Sequence, residues 1–90
     1  MEIQEIEAQL LTFVKREVFA PQFVVTPETD LVAAGFDSMS LVRLLLFVEM
    51  TYGLWIPPEE IKADTIRDLR SLSATVFRLL HAKSTASQRL

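Results

Sequence analysis

Apolar residues recur along this chain at steps of three and four, and three stretches hold that spacing long enough to predict helices. In residues 2–18, Ile3, Ile6, Leu10, Phe13 and Val14 fall on one side of a helix, while Glu5, Glu7, Gln9, Lys15 and Arg16 lie mostly elsewhere. The glutamates near the start of this segment, and Lys15 and Arg16 near its end, also suit the helix dipole. The second stretch opens from a polar turn. Gly35 permits a sharp bend there, Asp37 and Ser38 offer side-chain oxygens to free backbone N–H groups, and from Met39 onward no helix breaker occurs until Gly53. In the third, Asp64 or Thr65 is the expected cap of a helix whose Ile66, Leu69, Leu72, Val76, Phe77 and Leu80 keep helical spacing.

The connections differ in length. From Phe19 to Phe36, Pro21 and Pro27 exclude a continuous helix and the polar run Thr26 to Asp30 reads as a turn, with Phe23, Val24, Val25 and Leu31 expected to pack beneath it. A loop this long inside a small domain tends to be functional, and this one delivers the chain to Asp37 and Ser38. After Gly53, Leu54 and Ile56 are expected to point inward, leaving Trp55 either as an exposed contact residue or partly packed. Pro57, Pro58, Glu59 and Glu60 suit the first turn of a short helix. The pattern therefore predicts an all-α domain over residues 1–82, with three long helices and a short third one, followed by a polar flexible tail over residues 83–90.

The second helix carries more apolar surface than one buried face requires. Leu41, Leu44, Leu45, Val48 and Tyr52 share one side, whereas Met39, Val42, Leu46 and Met50 form a second stripe. One side is explained by a core; the other is either a docking surface or extra core covered by the loop or the short helix.

Composition removes several function classes. Ninety residues with half of them apolar suffice for one small core, and the absence of cysteine excludes disulfides and thiolate chemistry from the chain's own side chains. A formal charge of −3 without a Lys/Arg stripe argues against nucleic acid. The acidic N-terminal stretch is unlike a secretory signal, and no apolar run approaches the roughly 20 residues of a membrane span, so a soluble cytoplasmic protein is expected. The acids are dispersed without metal-ligand spacing. Spacing alone leaves Ser38 and His81 open as a hydrolase pair, but His81 is expected at the end of the last helix and the domain offers little room for a water-excluding pocket. No catalytic residue and no metal site are expected.

The segment Gly35-Phe36-Asp37-Ser38-Met39 resembles the GxDS(L/M) motif of the acyl and peptidyl carrier protein family, at the place where that family has it. Tyr52-Gly53-Leu54-Trp55-Ile56-Pro57 and Asp64-Thr65-Ile66-Arg67-Asp68-Leu69 resemble the family's stretches after the second helix and at the opening of the last, so the resemblance spans about residues 3–81. It implies a four-helix bundle of acyl-carrier-protein type, modified on Ser38 by 4′-phosphopantetheine from coenzyme A. The arm's thiol would hold cargo as a thioester, which fits a chain without cysteine. By the same resemblance Asp37 helps a phosphopantetheinyl transferase hold its metal and position the hydroxyl. The second helix becomes the docking surface, with Met39, Val42, Arg43, Leu46, Met50 and Trp55 as partner-binding residues. The implied partners are that transferase, a cargo-loading ligase (aminoacyl or acyl) and a downstream transferase, met by a monomer that binds neither nucleic acid nor membrane.

Carriers of fatty acids usually line the second helix with acids, whereas here Ser40, Arg43, Glu49 and Met50 leave one acid. That points to a discrete carrier of an amino acid or short acyl group. A carrier for fatty-acid or specialised lipid synthesis stands as the alternative, and a helical interaction adaptor without the prosthetic group is the reading from another class.

Overall fold

The computed structural model describes residues 2–88, with side chains described for residues 2–82. Three α-helices and one 3-10 turn follow in order: α1 (Ile3–Glu17), α2 (Ser38–Tyr52), the turn Pro58–Glu60, and α3 (Leu69–Gln88). No strand occurs among the described residues, and no helix among them is long and apolar enough to cross a membrane.

Each helix buries the face that its apolar spacing selects. Ile6, Leu10 and Val14 of α1 meet Leu44, Leu45 and Val48 of α2 and Leu69, Leu72 and Val76 of α3 in one cluster. Burying an aliphatic side chain of this size stabilises the fold by roughly 1.5–3 kcal/mol, so the cluster dominates folding. The polar contacts Gln9–Tyr52 and Glu17–Arg43 pair the early part of α1 with the end of α2, and the end of α1 with the early part of α2. These two helices therefore run antiparallel. Gly53 closes α2 in the left-handed conformation at φ 65°, where other residues are strained.

The loop between α1 and α2 is fastened to the start of α3 by backbone hydrogen bonds. Leu31 N–H donates to the Arg67 carbonyl at 2.8 Å, and Arg70 N–H donates to the Pro27 carbonyl at 3.1 Å. Val25, Leu31 and Phe36 are buried beneath the loop, as are Leu54 and Ile56 in the next connection, with Trp55 between them exposed. Phe23 and Val24 depart from expectation, since both are exposed and Phe23 instead stacks on Phe19. The loop has one buried row to fill, and Val25 and Leu31 fill it.

Three further details correct the sequence reading. The short third helix is a single 3-10 turn, so the described chain has three α-helices where four helices were expected. Its bonds run from Glu60 N–H to Pro57 and from Ile61 N–H to Pro58, and the two prolines contribute no donors that could extend it. The cap of α3 is Asp68, not Asp64 or Thr65: the Thr65 and Ile66 N–H groups are spent on the Lys62 carbonyl, closing a turn ahead of the helix. Asp68 Oδ1 then accepts from Ser71 N–H at 2.8 Å. Finally, α3 is assigned through Gln88, past the expected boundary at residue 82, which puts His81 inside the helix with its ring against Phe77 rather than at a C-terminus. Of the expected flexible tail over residues 83–90, residues 89 and 90 lie outside the described residues.

Candidate functional site

The chain reaches Ser38 through a sequence of fixed backbone points. Residues 30–36 form a helical turn in which Ala34 N–H donates to the Asp30 carbonyl at 3.0 Å and Phe36 N–H to the Leu31 carbonyl at 2.9 Å. Gly35 ends this turn at φ 103°, and a Cβ placed there would meet no atom within 4 Å, so backbone conformation alone calls for glycine. Phe36 then plugs the core, Asp37 becomes the N-cap of α2, and Ser38 is the first helical residue, exposed to solvent.

Asp37 is organised by its own helix. Its Oδ1 accepts from the Ser40 backbone N–H at 2.9 Å and from the Ser40 hydroxyl at 2.9 Å. Those bonds, the backbone one first, hold its carboxyl below its ordinary pKa. An ionised carboxylate thus stands immediately before an exposed hydroxyl at the positive end of a helix dipole. Beside them opens a cleft of about 280 Å³ lined by Phe36, Asp37, Ser38, Leu41 and Ile66. Sequence reasoning did not find this cleft. Ile66 looked like a helix position, and only the turn at Lys62 that moves the start of α3 to Leu69 leaves it free to line the opening.

The second stripe of α2 lies on the surface. Met39 is 65% exposed, Val42 48%, Leu46 47% and Met50 86%, and Trp55 beyond the helix end is 55% exposed. Covering by the loop or the 3-10 turn is therefore not what explains these residues. Arg43 is partly committed inside the chain, because its guanidinium donates to the Glu17 carbonyl at 3.0 Å across the end of α1. On the α1 side of α2 runs an open groove of about 490 Å³ whose lining includes Phe13 and Phe47, with ring centroids 4.6 Å apart. His81 is not among the residues lining the Ser38 cleft, so the two are not brought together there as a nucleophile and base would be.

Residues 8–75 match the protein family described as "Phosphopantetheine attachment site". The chain is 34% identical over 62 residues to "Aminoacyl carrier protein 1" of Bradyrhizobium diazoefficiens, covering 69% of each chain. It is 33% identical over 60 residues to "Aminoacyl carrier protein 2" of the same organism, covering 67% of each.

Proposed function

The chain belongs to the phosphopantetheine-attachment family of carrier proteins, and from that premise we propose that Ser38 bears the arm and that the cargo is an aminoacyl group. As a member of this family it carries cargo and does not turn it over. When attached, 4′-phosphopantetheine supplies the thiol on which a carboxylic acid is held as a thioester. The observation that carries the reading is the exposed Ser38 hydroxyl at the first position of α2, directly after the Asp37 cap, within the stretch that matches the family.

The chain's own residues fit this group. An exposed serine hydroxyl can be esterified without disturbing the core, and the phosphodiester charge would lie at the end of α2 where free N–H groups and the dipole favour an anion. Leu41, Phe36 and Ile66 offer apolar walls beside it, and the Asp37 carboxylate is held ionised where a transferase's metal would need a ligand. Met39, Val42, Leu46 and Met50 form the docking stripe, flanked by Arg43 and Trp55. Methionines suit a surface that meets several enzymes in turn, because they repack readily. The reading includes a monomer in the cytoplasm, handed from a phosphopantetheinyl transferase to a cargo-loading ligase and a downstream transferase. Support for an amino acid as cargo comes from the aminoacyl carrier relatives and from an α2 that has no acid in its first turn.

The test is intact mass after incubation with coenzyme A and a broad-specificity phosphopantetheinyl transferase. The wild-type mass should rise by one phosphopantetheine and that of Ser38→Ala should stay unchanged; an unmodified wild type would refute the assignment. The modified protein, mixed with amino acids, ATP and a candidate ligase, should then gain an aminoacyl mass that hydroxylamine removes. A long fatty acid loaded in preference to any amino acid would overturn the cargo.

A further inference from the structure

We infer that Met39 and Met50 are sites of reversible oxidation to methionine sulfoxide, and that the two sulfoxides release the carrier from its partner enzymes while leaving its fold intact. The inference rests on the reading of the α2 stripe as the docking face and adds a means of regulating it. The chain has three methionines and no cysteine. Met1 lies outside the described residues, and the other two both stand on this stripe, Met50 being the most exposed large apolar side chain among the described residues. They are eleven residues apart, which on an ideal helix is about 20° around the axis and about 16–17 Å along it. One thioether therefore follows directly on Ser38 and the other closes the far end of the stripe, with Val42 and Leu46 between them.

Placement decides the consequence. The buried cluster is built from isoleucine, leucine, valine and phenylalanine and holds no methionine, so oxidation of sulfur adds nothing polar to it. Hydrogen peroxide is the oxidant: the sulfur lone pair attacks one peroxide oxygen, the O–O bond breaks, and the other oxygen leaves as water with the proton of the transferred one. Sulfur loses two electrons and the peroxide gains them. A flexible apolar side chain thereby becomes a polar, chiral one, whose oxygen must give up its water whenever an apolar partner surface covers it. Methionine sulfoxide reductases, one for each sulfoxide epimer, reverse the step: two thiols become a disulfide, the oxygen leaves as water, and the thioether returns.

The test uses the full chain before Ser38 is modified, so that no arm thiol competes for the oxidant. After treatment with hydrogen peroxide, peptide mass mapping should place one oxygen on each of Met39 and Met50. The oxidised protein should keep its Tm within about 4 °C of the untreated one. Its kcat/KM for Ser38 modification by a phosphopantetheinyl transferase with coenzyme A should fall by about 3–10-fold, and the two reductases with dithiothreitol should restore it. The double variant Met39→Leu/Met50→Leu, whatever its own starting rate, should lose none of it on the same treatment, which assigns the effect to these two sulfurs. Leu46→Ala changes the stripe without touching sulfur and so reads the docking face separately. Sulfoxide confined to Met1, a doubly oxidised protein modified within about twofold of the untreated one, or an equal loss in the double variant overturns the inference and leaves Ser38 as the attachment point. So does a larger fall in Tm, or a rate that the reductases do not restore. Untreated wild type that gains no phosphopantetheine sinks the attachment reading, and this inference with it.

Discussion

Leu45 and Leu46 are chain neighbours on α2 in opposite surroundings, and the same truncation at each separates folding from docking. Leu45 is 8% exposed within the cluster that joins the three helices, whereas Leu46 is 47% exposed on the stripe. Leu45→Ala removes buried methyl groups and leaves a cavity, a loss of about 2–5 kcal/mol. A domain of this size has roughly 5–13 kcal/mol in total, and each kcal/mol moves Tm by about 4–8 °C, so Tm should fall by roughly 10 °C or more. Leu46→Ala gives up a side chain that already meets water over about half its surface, and alanine is the better helix former. Its cost should stay under about 1 kcal/mol. Urea unfolding reads stability, and the initial rate of Ser38 modification, measured well below both melting temperatures, reads docking. Leu46→Ala should lower kcat/KM by about 3–10-fold while the folded Leu45→Ala stays within about twofold of wild type. The reasoning fails if Leu46→Ala melts as low as Leu45→Ala, or if both slow modification equally.

Other changes test the frame around the site. Asp68 is largely buried, which alone would raise its pKa, but the Ser71 N–H and hydroxyl and the Arg67 guanidinium together hold it below its ordinary value. Its contribution is therefore fully present above the unfolded value near about 3.9 and is lost as pH falls through the lower folded value, so stability should drop less steeply below about pH 4 in Asp68→Asn than in wild type. Equal acid limbs in urea titrations would contradict this. Ser73 Oγ is buried without a hydrogen-bond partner, so Ser73→Ala should leave the urea midpoint unchanged or raise stability by up to about 1 kcal/mol; a loss above that range would reveal a partner. Gly35→Ala should cost about 1–2 kcal/mol through its positive φ alone, with no steric clash. A far larger loss on unfolding would mean that the turn fails to form.

Periodicity was enough to find the three helices and the buried face of each, because burial of one stripe per helix is what the spacing encodes. It could not place the start of α3, where Asp64, Thr65 and Asp68 all have a capping side chain within five residues. The choice was made by the Lys62 carbonyl taking two N–H groups and by the loop backbone docking on Arg67 and Arg70, contacts between segments far apart in sequence. Phe23 and Val24 were misread for a related reason: a hydrophobic residue in a loop says nothing of which row the loop buries. The fate of Met50 was equally undecided by spacing, since the same step serves a surface stripe and an extra core face. The Ser38 cleft was illegible because one wall, Ile66, comes from a turn nearly thirty residues further along the chain.

That distant wall shows what locates the hydroxyl. Ser38 has little of its own to fix it, and its place follows from Asp37 capping α2 through Ser40, from Phe36 buried just before, and from Leu31 hydrogen-bonded to Arg67. The long loop is thus held at both the core and the start of α3, and the same fastening brings Ile66 to the cleft. Loop length alone costs little extra entropy once the ends are joined, so a long connection with a few fixed backbone bonds can present an exposed group accurately. The proposed attachment at Ser38 asks for that arrangement: a steady anchor at the surface, an apolar flank beside it, and a core that the arm would not enter.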